Sequence, residues 1–237
     1  MSKRPAGNWS ADLWSLMAPT YQAILGHPFL TGLSDGTLAP EAFAHFIVQD
    51  AHYLQEYARC LAIVGAKAQT PTDLAMFARH AAGAVEVESA LHGSLQPDRS
   101  LPAVPAAPTT QAYTSYLLAT AYGGSFAEGL AAVLPCYWIY AEVGNALSAH
   151  GSPDPSYQRW IDSYAGDEFA MLVREVLELV DRVGSELGPA ERRRAQRHVQ
   201  VTARYEWMFW DAAYRCERWP LPAVGGELSE TGDRGRG

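Results

Sequence analysis

Three side chains in this sequence combine reactive chemistry with apolar surroundings: a cysteine, an aspartate and a glutamate. Cys136 lies in Leu134-Pro135-Cys136-Tyr137-Trp138-Ile139-Tyr140. On a helix, Tyr140 shares the face of the thiol four residues on. Pro135 frees the carbonyl one turn back from its usual amide partner and opens the helix locally. Such a thiol is a candidate nucleophile, although a cysteine among aromatics is more often an inert core residue. Asp50 falls in Phe46-Ile47-Val48-Gln49-Asp50-Ala51-His52-Tyr53-Leu54, beside core-like positions, with Tyr53 at i+3. A carboxylate on a buried face needs a partner, because an unpaired buried charge costs several kcal/mol. Either a cation on another helix or the amino groups of a ligand would serve. Glu206, in Tyr205-Glu206-Trp207-Met208-Phe209-Trp210, is surrounded by large apolar side chains. Desolvation raises a carboxyl pKa, which suits a general acid near neutral pH. The alternative is an exposed glutamate on an amphipathic helix. Tyr113, Tyr140 and Tyr164 are candidates for lining a pocket, but most of the twelve tyrosines of a helical bundle simply pack.

The elements that must position these groups are helices. From Pro40 to Lys67 the apolar residues Phe43, Phe46, Ile47, Tyr53, Leu54, Tyr57, Leu61 and Val64 recur at three- and four-residue steps, the signature of one long amphipathic helix. Thr70-Pro71-Thr72-Asp73 carries a capping threonine with a proline at the first helical position, and Ser125-Phe126-Ala127-Glu128 is a capping box. Together the patterns predict helices near 10–26, 40–68, 71–94, 109–122, 125–149, 154–164, 167–187 and 189–218. A short helical turn is expected around 28–34, before Asp35-Gly36. Pro19 and Pro135 are expected to kink or break their helices. The proline-rich stretch Gln96–Pro108 reads as a surface loop. No alternating β-branched run demands a sheet. The expectation is an all-α, single-domain helical bundle over 9–220, with flexible tails at 1–8 and 222–237.

Bulk properties remove several classes of function. The 237 residues are 48% hydrophobic and 19% charged, ordinary for a globular chain. A formal charge of −8 argues against nucleic acid and anionic membranes, which need a clustered basic surface. Three widely spaced cysteines, with no C-x-x-C, argue against a zinc knuckle or a disulfide framework and fit a reducing compartment. With no signal-peptide pattern in Met1–Asn8 and no run long enough to span a bilayer, the expected location is cytoplasmic.

Read in order, the motifs resemble the thiaminase II (TenA-like) family. They are His27-Pro28-Phe29, Asp35-Gly36-Thr37-Leu38, Phe46 to Tyr53 with Gln49-Asp50, and Glu86-Val87-Glu88 to Leu91-His92. Ala112-Tyr113-Thr114-Ser115, Gly124-Ser125-Phe126-Ala127-Glu128, Leu134-Pro135-Cys136-Tyr137-Trp138, Tyr164 to Phe169 and Tyr205 to Trp210 follow. They extend over most of the chain, from about Trp14 to Trp219. The resemblance implies a haem-oxygenase-like fold and hydrolysis of an aminopyrimidine in thiamin salvage, without metal or cofactor. It makes Cys136 the nucleophile, Glu206 the acid that protonates a ring nitrogen, and Tyr53 the hydroxyl that tunes the thiol. It makes Asp50 the grip on the exocyclic amine, with Tyr140 and Tyr164 against the ring and Tyr113 in the pocket wall. It also implies a homotetramer, and Cys136 places the chain with the cysteine-bearing branch. His52 departs from the aromatic found in many relatives. Thiolate addition breaks the ring's aromaticity, so that ring electrons expel the leaving group before water replaces it. Two other readings compete. Glu88 and His92 at i, i+4 have metal-ligand spacing but lack a second carboxylate–histidine set for a di-metal oxidase. A non-catalytic helical regulator would keep the bundle without the chemistry.

Overall fold

The computed structural model describes residues 8–95 and 104–221, the side chains of 87–95 excepted. Among these residues all regular structure is helical: α1 (Trp9–Leu25), α2 (Pro28–Asp35), α3 (Pro40–Ala66), α4 (Pro71–Leu95), α5 (Pro108–Gly123), α6 (Phe126–Ser148), α7 (Pro155–Ala165), α8 (Asp167–Glu186) and α9 (Pro189–Tyr214). Asn8, expected in the N-terminal tail, immediately precedes α1, its carbonyl accepting from Ala11 N and its side chain donating to Asp181. The rest of both expected tails, and Gln96 to Ala103 of the expected loop, lie outside the described residues.

Local chemistry sets the helix ends. Ser125 Oγ accepts from Glu128 N while Ser125 N donates to Glu128 Oε2, so α6 begins with the expected capping box. Thr70 Oγ1 accepts from Asp73 N at the start of α4. His27 does the same for α2, its Nδ1 accepting from Phe29 N, and Gly36 closes that helix with φ 72°, a left-handed conformation that glycine adopts without penalty. The expected short turn is therefore a true two-turn helix. Neither Pro19 nor Pro135 breaks its helix; each lies inside a continuous one. Pro135 is enclosed in the core, where neighbours hold the flanking turns in place, whereas Pro19 lies on the exposed face of α1. The last helix stops at Tyr214, short of the expected 218. Cys216 there takes φ 48°, and Glu217 N returns to Ala212 O, closing the final turn.

One helix organises the bundle. Every residue of α6 from Ala127 to Ala141 is buried except Cys136. A helix apolar around its whole circumference must be enclosed, and α6 packs against α1, α3, α5, α7, α8 and α9. The α3 helix pairs with α4 on one side and α5 on the other, and α9 lies against α1 and α6. Buried apolar residues from all nine helices join in one cluster. At its heart Phe46 stacks on Trp210 with ring centroids 5.0 Å apart and planes at 4°, and Trp160 packs edge-on to both.

Candidate active site

Five helices meet around the thiol of Cys136. From α3 come Asp50, Tyr53 and Tyr57, at i, i+3 and i+7 along one face. Tyr113 comes from α5, Cys136 and Tyr140 from α6, Tyr164 from α7 and Glu206 from α9. Cys136 and Tyr164 are partly exposed; Asp50, Tyr53, Tyr113, Tyr140 and Glu206 are buried.

Glu206 is 1% exposed, and its single hydrogen-bonded neighbour among the described residues is the hydroxyl of Tyr113, which donates to Oε1 at 2.6 Å. Burial pushes the Glu206 carboxyl up to about 8; the Tyr113 bond pulls it down, and the nearby Asp50 charge adds to the rise. At neutral pH this group is a carboxylic acid. Burial likewise raises the Cys136 thiol well above its ordinary value, and the charges of Glu206 and Asp50 push the same way. The hydroxyls of Tyr53 and Tyr57 oppose them. Tyr53 faces the thiol without a settled bond: its buried hydroxyl has no hydrogen-bond partner among the described residues. Tyr140 and Tyr164 form an aromatic wall, their rings 4.9 Å apart, and Tyr140 is backed by Trp210 at 5.2 Å. Both wall tyrosines feel Asp50, Glu206 and Cys136. The two acids, the thiol and the tyrosines are thus near enough to act on one another's ionisation.

Further residues belong to this assembly. The hydroxyl of Tyr57 donates to Val133 O at 2.9 Å, one turn before Cys136. Its spacing from Asp50 and Tyr53 was the signal in the sequence. Gln49 holds the segment before α5, donating to Pro105 O and accepting from Ala107 N, while His52 meets Val104 O at 2.7 Å. Glu217 and Trp219, beyond α9, grip the same stretch through Thr109 and Ala106. Nothing in the sequence pointed to those long-range pairs. Among the described residues no group of three or more His, Cys, Asp or Glu side chains could hold a metal ion. Glu88 and His92 lie on α4 where side chains are not described.

Comparison with known proteins places the chain in a family. Residues 14–216 match the TENA/THI-4/PQQC family along nearly the whole described chain. The chain belongs to that family. It is 34% identical to the aminopyrimidine aminohydrolase of Bacillus subtilis over 229 residues, covering 94% of this chain and 97% of that one. A TenA homologue from P. horikoshii superposes with a TM-score of 0.80 at 30% identity, covering 88% of this chain and 99% of that structure. A domain from Shewanella denitrificans described as having a heme oxygenase-like fold matches with a TM-score of 0.69 at 17% identity, over 87% of this chain and 92% of its own. The TENA/THI-4/PQQC bundle seen here is accordingly all-α and haem-oxygenase-like. None of its described helices is long and apolar enough to cross a membrane.

Proposed function

We propose that this chain is an aminopyrimidine aminohydrolase of the thiaminase II type. It hydrolyses 4-amino-5-aminomethyl-2-methylpyrimidine, and thiamin, to 4-amino-5-hydroxymethyl-2-methylpyrimidine, in thiamin salvage. One observation carries the reading. Cys136, the one residue of the Ala127–Ala141 stretch of α6 that is not fully buried, feels both Glu206 and Asp50, and burial raises the Glu206 carboxyl to about 8, so that an acid and a carboxylate stand near the thiol.

The residues divide the work as follows. Asp50 accepts from the exocyclic amine of the pyrimidine, and Tyr140 and Tyr164 hold the ring flat. Tyr113, bonded to Oε1 of Glu206, leaves Oε2 to carry the proton. Cys136 sulfur bonds to a ring carbon as Glu206 protonates the ring nitrogen, which quenches the charge that would otherwise develop there. Electrons from the dearomatised ring then break the bond to the leaving group on the exocyclic methylene. Ammonia departs from the protonated aminomethyl compound, or the thiazole from thiamin. Water adds to the methylene and gives up a proton to the released ammonia or to solvent, the carbon–sulfur bond breaks, and the ring proton returns to Glu206. Tyr53, with its hydroxyl unpaired among the described residues and facing sulfur, hydrogen-bonds the thiolate as it forms. We place Cys136 in the cysteine-bearing branch on this basis. We also infer a cytosolic homotetramer. Its three free cysteines suit a reducing compartment, and exposed apolar side chains such as Tyr122 and Met171 suit contacts between copies.

The test is hydrolysis of both substrates by the wild type and by Cys136→Ala. Loss of the nucleophile is expected to lower kcat on the order of 10³-fold or more. Turnover that survives the substitution removes this mechanism. The ratio of the two wild-type rates identifies the preferred leaving group.

A further inference from the structure

The chemistry above gives the proton of the Cys136 thiol no destination. Glu206 enters the reaction as an acid, and Asp50 holds the amine. A second set of buried polar groups approaches the same sulfur. The Tyr57 hydroxyl donates to Val133 O at 2.9 Å, one turn before Cys136, and stands near enough to the Cys136 thiol and the Tyr137 hydroxyl to ease the ionisation of both. The Tyr57 and Tyr137 rings lie 5.8 Å apart. Tyr137 Oη is 3.0 Å from His80 Nδ1, and His80 Nε2 is 3.3 Å from Glu175 Oε2. Tyr57, Tyr137 and His80 are each 4–5% exposed, whereas the Glu175 side chain is 47% exposed. The hydrogen-bonded part of the series, Tyr137–His80–Glu175, reaches the surface across α6, α4 and α8, and Tyr57 of α3 stands between it and the thiol.

We propose that Tyr57, Tyr137, His80 and Glu175 form a proton relay between the Cys136 thiol and solvent, with His80 as its base. The inference rests on Cys136 being the nucleophile. The S–H bond of Cys136 breaks and its proton passes to Tyr57 Oη. Tyr57, swinging off Val133 O, gives its own proton to Tyr137 Oη, and Tyr137 gives its proton to His80 Nδ1. A thiol and an imidazole become a thiolate and an imidazolium, and the Glu175 carboxylate balances the new positive charge. Expulsion of the thiolate after hydrolysis runs the path backwards. The tautomer follows from the network: with Nε2–H donating to Glu175, Nδ1 presents its lone pair to Tyr137.

The surroundings keep His80 ready as a base. Burial lowers its pKa, Glu175 from α8 raises it, and Arg79 from its own helix lowers it; Tyr137 faces it from α6. Arg79 also bonds Glu175 at 2.9 Å, which fixes the carboxylate. Cys60 lies near both tyrosines, but burial pushes its thiol up to about 12, so it does not compete for the proton.

Two readouts test the relay across pH: kcat/KM for the aminomethylpyrimidine, and the rate at which iodoacetamide alkylates Cys136. The second needs no substrate. A Cys216→Ser background removes the other partly exposed thiol, and Cys60 is fully buried. Tyr137→Phe keeps the ring and breaks the chain, and His80→Gln removes the base. Each is expected to slow alkylation and kcat about 10-fold or more at pH 7, with KM little changed, and to abolish the acid limb set by His80. Glu175→Gln leaves the chain intact but makes His80 less basic, so the acid limb moves to lower pH. A residue that merely tied α4 to α6 would not move that limb. Wild-type profiles in Tyr137→Phe and His80→Gln, or an unshifted limb in Glu175→Gln, overturn the relay. If Cys136→Ala stays active, the nucleophile reading itself falls. If Cys136→Ala is dead while the relay variants behave as wild type, the relay alone falls.

Discussion

At neutral pH the Cys136 thiol and the Glu206 carboxyl both hold their protons, because burial disfavours the charged form of each. For Glu206 this has a consequence for stability. The carboxyl would ionise near 4.5 in the unfolded chain and ionises at about 8 in the folded one. Its contribution is complete below pH 4.5 and is lost progressively as pH rises to about 8, at roughly 1.4 kcal/mol for each unit. Glu206→Gln cannot ionise, yet its amide oxygen still accepts from Tyr113. Its melting temperature relative to wild type is therefore expected to climb between pH 5 and pH 8. Its kcat should fall about 10²- to 10⁴-fold, as for a lost general acid. Thermal melts at the two pH values check this, and parallel curves for the two proteins would show that Glu206 is already ionised in the fold.

Precision in the site depends on how closely the helices approach. At Gly144 in α6 a methyl group would lie 2.7 Å from the backbone carbon of Tyr164 and 2.9 Å from Ala165 N, so α7 rests directly on that glycine. Gly144→Ala pushes the end of α7 outward, and Tyr164 with it. The expected result is a destabilisation of about 1–3 kcal/mol with KM raised at least as much as by Tyr164→Phe, measured by denaturation and steady-state kinetics. An unchanged KM would mean that Tyr164 does not touch substrate. At this scale the sequence was most informative. Caps such as Ser125–Glu128 and the periodicity of α3 act within one turn, so their residues alone place those helices. Asp50 and Glu206 were visible because a carboxyl among aromatics conflicts with its neighbours. The ends that were misjudged obey distant partners. The α9 helix stops where Cys216 turns left-handed and Glu217 crosses to Thr109 at the start of α5. His80 was passed over because its partners Tyr137 and Glu175 lie 57 and 95 residues away in sequence. Tyr57 carried the right spacing but no chemical conflict to mark it.

Across the whole molecule, the two acids that frame the thiol lie on α3 and α9, so the site exists only when the complete bundle is assembled. Binding there must stabilise the folded state as a unit, because the unfolded chain offers no equivalent site. In the proposed mechanism the groups with recognition chemistry all address the pyrimidine: acids for its amine and ring nitrogen, tyrosines for its face. None is assigned to the leaving group. Hydroxymethylpyrimidine at 100 times its Kd should therefore add about 2.7 kcal/mol, which for a chain of this size is a rise in melting temperature of about 5–10 °C. The thiazole alcohol released from thiamin should give almost none at the same concentration. Asp50→Asn, which keeps the shape but not the charge, should shrink the pyrimidine effect. Differential scanning calorimetry of the wild type and this variant with each compound measures all three. An equal shift from the thiazole would place the specificity on the departing half, and would move the recognition away from Asp50 and Glu206.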